Sequence, residues 1–181
     1  MTFTATLTPI GGLAHDTQAA QTCRVEVVTR AELSHCRQWV GAFAGSRKCH
    51  RFYELVEDTL PQNFHYRYFA IRGALGEVQA VQPFFILDQD LLVGSGHATA
   101  PLIATIRRLW PRFLMLRTLM VGCTVGEAHL DGDERSRAEN ARLLASAIVA
   151  HARALGAQMI VLKEFPAKYR EPLQCFLGRG F

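Results

Sequence analysis

The sequence predicts an α/β domain, a mixed and mostly antiparallel sheet with helices on both faces. Three observations carry this. Apolar residues recur at helical spacing from Ala141 to Leu155. A short apolar run, Gln158-Met-Ile-Val-Leu-Lys-Glu164, follows after Gly156 and has the pattern of a strand buried on both faces. Between Tyr66 and Leu87, aromatic and β-branched stretches flank a glycine turn, as antiparallel neighbours do.

The 181 residues suffice for one domain, and 49% hydrophobic content against 20% charged supplies a real core. A net charge of +4 suits an anionic ligand or an acidic surface. It falls short of the clustered basicity of a dedicated nucleic-acid binder. Cys23, Cys36, Cys49, Cys123 and Cys175 are odd in number and form no Cys-x-x-Cys pair, which points to a reducing, cytoplasmic setting rather than a disulfide scaffold or zinc finger. Residues 1–22 carry no Lys or Arg and no continuous apolar segment, unlike a secretory signal. They read as a mobile tail before a single domain over 23–181.

Along the chain, Arg24–Thr29 alternates as a first strand. Ala31–Phe43 follows as a helix capped by Thr29, with Leu33, Cys36, Val40 and Phe43 inward and Gly45-Ser46 as its break. Arg51–Leu60 is a second helix, stopped by Pro61. Tyr66–Ile71 and Glu77–Leu87 are strands joined by a turn at Gly73–Gly76. Pro83 marks a bulge or an edge position in the second. Asp88-Gln89-Asp90 reads as a turn into a third strand, Leu91–Val93. Pro101–Trp110 reads as a helix whose inner face is Leu102, Ile106 and Leu109, with Arg107 and Arg108 outside. Leu119–Cys123 is a strand. Ser136-Arg-Ala-Glu139 has the form of a capping box opening the long helix, which Gly156 ends. Met159–Leu162 is expected to be the central, fully buried strand. Pro166 opens a last helix with Leu173, Phe176 and Leu177 inward, before Gly178-Arg179-Gly180-Phe181.

Chemistry concentrates in Glu127-x-His129-x-Asp131. If extended, this stretch turns all three side chains to one face. A carboxylate beside an imidazole suits general-base catalysis, since each shifts the other's pKa. The same trio fits a metal's ligand set, and it also fits a polar loop that caps a helix. Lys163-Glu164 is a second candidate, at the carboxyl end of a strand where open α/β sheets gather ligands. The basic, aromatic segment Pro101–Arg117 could face a membrane, nucleic acid or an acyl chain, or simply pack on the sheet. The histidines at 15, 35, 50, 65, 97 and 151 show no ligand spacing, and no Walker, Rossmann or Gly-x-Ser-x-Gly motif occurs.

The order β-αα-βββ-(α)-β-α-β-α, with the closing Gly180-Phe181, resembles the GNAT acyl-CoA N-acyltransferase superfamily. It looks most like the first half of the divergent FemAB-like, peptidoglycan-related branch, without the last two strands of the GNAT sheet. Cys123-Thr-Val-Gly126-Glu-Ala128 matches that family's phosphate motif at Gly126 and Ala128 and lacks its Arg or Gln. The family's tyrosine acid falls on Phe176, leaving Tyr169 as a substitute.

The resemblance implies transfer of an acyl group from acyl-CoA, or a similar thioester, to a small-molecule or peptide amine. Gly122, Cys123, Thr124, Gly126 and Ala128 would bind the acyl-CoA. Glu127, His129, Asp131, Glu164 and Tyr169 would serve catalysis, with no metal expected. The rivals are a catalytically inactive GNAT-like binding or assembly module and a basic RNA- or membrane-surface binder. A sheet ending after the fourth helix leaves an open edge, for which a homodimer mate or a C-terminal partner domain is expected. Nucleic-acid and membrane partners are not expected.

Overall fold

The computed structural model describes residues 2–4, 23–60, 64–92 and 100–181. Its sheet has six strands in sequence order: β1 (Thr2–Thr4), β2 (Arg24–Val28), β3 (Phe64–Arg72), β4 (Val78–Asp90), β5 (Met115–Gly122) and β6 (Met159–Lys163). Neighbours are antiparallel except β5 and β6, which run parallel. The mixed, mostly antiparallel sheet is therefore as expected. Within the segment read as a tail, Thr2–Thr4 pair with β2, and the rest of it lies outside the described residues.

Alternation along the strands builds a core on each side. Val25, Phe69, Ile71, Phe84, Leu119 and Val121 face α5 (Arg137–Ala154), which presents Leu144, Ala145, Ile148 and Ala152. Phe69 and Phe84 stack at 4.2 Å in this layer. The opposite face carries Tyr68, Ala70 and Val81 under α1 (Arg30–Leu33), α2 (Arg37–Gly41) and α3 (His50–Thr59), where Leu33, Trp39 and Tyr53 are buried. Each fully buried side chain of this size stabilises the fold by roughly 1.5–3 kcal/mol.

Several sequence expectations are corrected. Ala31–Phe43 is two short helices, because Ser34 folds its hydroxyl back to the Ala31 carbonyl at 2.9 Å and interrupts the run. The break shifts the face by one residue, so Trp39 is buried and Val40 is 52% exposed. Asp88–Asp90 is no turn. β4 continues through it, held by two-pronged pairs from Arg117 to Asp88 and from Arg107 to Asp90. Leu91 and Leu92 form a turn rather than a third strand, and Val93 lies outside the described residues.

Met159–Leu162 is not central. Among the described residues β6 is the last strand of the sheet and pairs only with β5, and Met159 is exposed while its neighbours are half-buried. An apolar strand beneath α5 needs burial on that face only, so the run did not require two covering layers. In α4 (Ala100–Leu109), the expected inner residues Leu102 and Leu109 are 65% and 91% exposed. At the chain's end, 3-10 turns flank the short α6 (Arg170–Leu173). Phe176 is buried as expected, while Leu177 is exposed.

The long helix stops as predicted. Gly156 takes a left-handed φ of 65°, with Ala157 N–H bonded to the Ala152 carbonyl and Gly156 N–H to the Arg153 carbonyl. Its start differs: Ser136 already has helical backbone, and the Asp133 carboxylate accepts the Ser136 N–H at 2.7 Å. Asp133, not Ser136, is the cap.

Candidate functional site

The site grows from an unpaired stretch of β4. β5 pairs with β4 only from Phe84 onward, and no strand among the described residues lies along the edge from Val78 to Pro83 on that side. The Val81 N–H points outward there. Pro83, two residues on, turns its donor-less nitrogen the same way, so a proline costs no ladder bond at this local edge. The segment after β5 returns to cover the gap. The Asp131 carboxylate accepts the Val81 N–H at 2.8 Å, and the Gln82 side-chain amide donates to the His129 carbonyl at 3.1 Å. Ala128 N–H reaches the Glu164 carbonyl at 3.0 Å, beyond the end of β6. His129 is thus carried on a backbone stitched to both ends of the gap.

Beside it opens a cleft of about 530 Å³ at the carboxyl ends of β5 and β6. Phe43, Gly45 and Ser46 form one wall, His129 to Gly132 a second, and Arg137, Lys168 and Tyr169 a third. His129 Nε2 lies 3.0 Å from Ser46 Oγ. The imidazole rests against the Phe43 ring, with centroids 5.6 Å apart. Burial lowers the His129 pKa, and the Lys168 and Lys48 ammonium groups push it further down against a weaker opposing pull from Glu127. These surroundings favour the neutral ring, the form able to take a proton. Arg137 and Lys168 both lie over the Tyr169 ring, 5.4 and 5.0 Å from its centre. They give the cleft positive charge on an aromatic floor.

Of the expected catalytic residues, His129, Asp131 and Tyr169 line this cleft together. Asp131 is 8% exposed, and its carboxylate is turned to Val81 and to the Gln38 side chain. Burial raises its pKa despite those bonds. Glu127 is exposed and offers its carbonyl to Lys48 Nζ at 2.7 Å. Glu164 is exposed and paired with Lys163 at 2.5 Å. The stretch is not a strand, and the three titratable side chains at 127, 129 and 131 part company. Among the described residues, no group of three His, Cys, Asp or Glu side chains gathers as a metal site.

The residues expected to cradle acyl-CoA do not line this cleft. Cys123 and Ala128 are fully buried. Thr124 accepts a hydrogen bond from the Tyr66 hydroxyl at 2.8 Å. Gly122 has φ 122°, and a Cβ there would meet the Ala128 Cβ at 2.7 Å, so this corner is closed by packing. Gly126, at φ 63°, lies against the Lys48 ammonium. At the start of α5, the Ser136 N–H is taken by the Asp133 carboxylate and the Arg137 N–H by the Asp133 carbonyl.

Ser46, Lys48, Arg137 and Lys168 escaped the sequence reading. Ser46 stands 83 residues before His129, and a Gly-Ser pair after a helix reads as a breaker. Arg137 and Lys168 are single cations, at a helix start and in a 3-10 turn, with no spacing that links either to His129. No family model, curated protein or solved structure matches this chain.

Proposed function

We propose that the protein is a cytoplasmic acyltransferase of GNAT-like character, moving an acyl group from an anionic thioester such as acyl-CoA to an amine. The observation that carries this reading is the His129 imidazole, its pKa lowered by burial, facing a cleft that also holds Lys168 and Arg137. The imidazole accepts the proton that an attacking amine must lose. The two cations hold the donor's negative charge, and they stabilise the oxyanion that forms as the thioester carbonyl is attacked. Tyr169, at the floor, faces the leaving group. Donor binding of this kind relies on side-chain cations, since the Gly122–Thr124 corner is packed shut.

Titration calorimetry with acetyl-CoA tests it. Saturable binding that weakens on Lys168→Ala and Arg137→Ala supports the reading, and heats indistinguishable from dilution would sink it. The Ser136 and Arg137 amides, both taken by Asp133, and the closed glycine corner favour a second reading, a GNAT-like module that binds without catalysis. That module would bind an anion in the same cleft and leave acyl-CoA intact. Partnering through the outer edge of β6, by a second copy or a further domain, is proposed for either reading.

A further inference from the structure

We propose that Ser46 is a nucleophile: its Oγ, 3.0 Å from His129 Nε2, takes the acyl group from a thioester or activated ester and holds it as an acyl-serine before transfer. This deepens the acyl-transfer reading, but the Ser46–His129 pair can be tested apart from it.

The hydrogen-bond geometry suits proton transfer from the serine to the imidazole. Lys48 N–H donates to Ser46 Oγ at 3.1 Å, and in the tautomer whose proton sits on Nδ1 the serine hydroxyl donates its own hydrogen to His129 Nε2. In that tautomer Nε2 is the unprotonated, basic nitrogen that an activated serine needs. The serine sits in a bent loop. Phe43 and Gly45 both take left-handed φ values, 58° and 81°, and Ser46 N–H closes the turn on the Phe43 carbonyl at 2.9 Å. A large aromatic residue seldom adopts that conformation, and such backbone strain concentrates where a side chain must be presented. The same Phe43 braces the His129 ring, so one residue shapes the loop and positions the base.

Asp131 does not orient the imidazole, since its carboxylate is bound to Val81. The pair is therefore a dyad, suited to donors with good leaving groups. In the first half-reaction, the Oγ–C bond forms and the C–S bond breaks. The Oγ proton passes to His129 Nε2 and then to the departing sulfur, which leaves as the thiol. An amine next attacks the ester carbon and gives a proton to His129. That proton goes on to Oγ as the C–Oγ bond breaks, restoring both residues.

The experiment uses the full chain and p-nitrophenyl acetate as acyl donor. A burst of p-nitrophenolate equal to the protein concentration is expected, with one acetyl group mapped by peptide mass spectrometry to Ser46. Ser46→Ala should abolish the burst. His129→Ala should slow it by about 100-fold or more. Ser46→Cys, a near-isosteric replacement, should restore a burst and so control for folding. The acylation rate should rise with pH and level off below the ordinary histidine pKa of about 6.5. No burst from either the native or the Ser46→Cys protein, or acetylation undiminished in Ser46→Ala, overturns the proposal.

The two readings fail separately. Acetylated Ser46 with no acyl-CoA turnover keeps the nucleophile and removes the acyl-CoA reading. Acyl-CoA turnover at an undiminished rate in Ser46→Ala does the reverse.

Discussion

At the scale of residues, the titratable groups of the site divide by what surrounds them. Asp131 is a structural acceptor before it is anything chemical. Asp131→Ala strands the buried Val81 N–H and should destabilise the fold by about 1–3 kcal/mol in urea titration. Asp131→Asn, which keeps a carbonyl oxygen for that bond, should cost less. Equal losses for both variants would mean that the bond to Val81 contributes little. Burial is the leading cause of a lowered pKa at both His129 and His151. The unfolded chain therefore binds more protons than the folded one as pH drops through the ordinary histidine range. Their contribution is complete above that range and is lost as pH falls, so the denaturation midpoint should decline between about pH 7 and 5. Asp131, with its raised pKa, acts in the opposite sense at lower pH, where folding favours its protonated form. A midpoint that holds constant from pH 7 to 5 would show that neither imidazole is held neutral by the fold.

At the scale of elements, legibility tracked how local each signal is. Gly156 ended α5 where expected, because a left-handed stop is written in one residue. The β3–β4 hairpin was equally plain from Gly73–Gly76 and the flanking aromatics. The Ser34 break was not, since a side chain folding onto its own helix competes invisibly with apolar periodicity. The position of β6 was misread because composition reports how apolar a strand is, not how many neighbours it has. The half of the cleft made by Ser46 depends on a contact across the fold that no local spacing encodes. Gly122 tests how tightly β5 and its following segment are joined. With φ at 122° and Ala128 Cβ in the way, Gly122→Ala should cost more than about 1 kcal/mol and shift the backbone that carries His129. A stability equal to that of the parent would mean that this junction is loosely packed.

At the scale of the molecule, two surfaces stand out beyond the cleft. β6 ends the sheet, and no strand among the described residues pairs with its outer edge. Leu102, Leu109 and Trp110, on and just after α4, are all well over half exposed. Neighbouring exposed apolar side chains and an open edge invite association. Sedimentation at micromolar concentration should therefore show self-association, reduced by Trp110→Ser if α4 takes part. A monomer at all concentrations would exclude a role for either surface between copies of this chain. The central claim concerns the cleft, where the His129 imidazole shares space with two cations. It is tested most directly by following loss of the thioester when acetyl-CoA and a primary amine are incubated with the protein. Protein-dependent consumption that falls by about 100-fold or more in His129→Ala is the predicted result. Consumption that is absent, or unchanged by His129→Ala, would contradict the account.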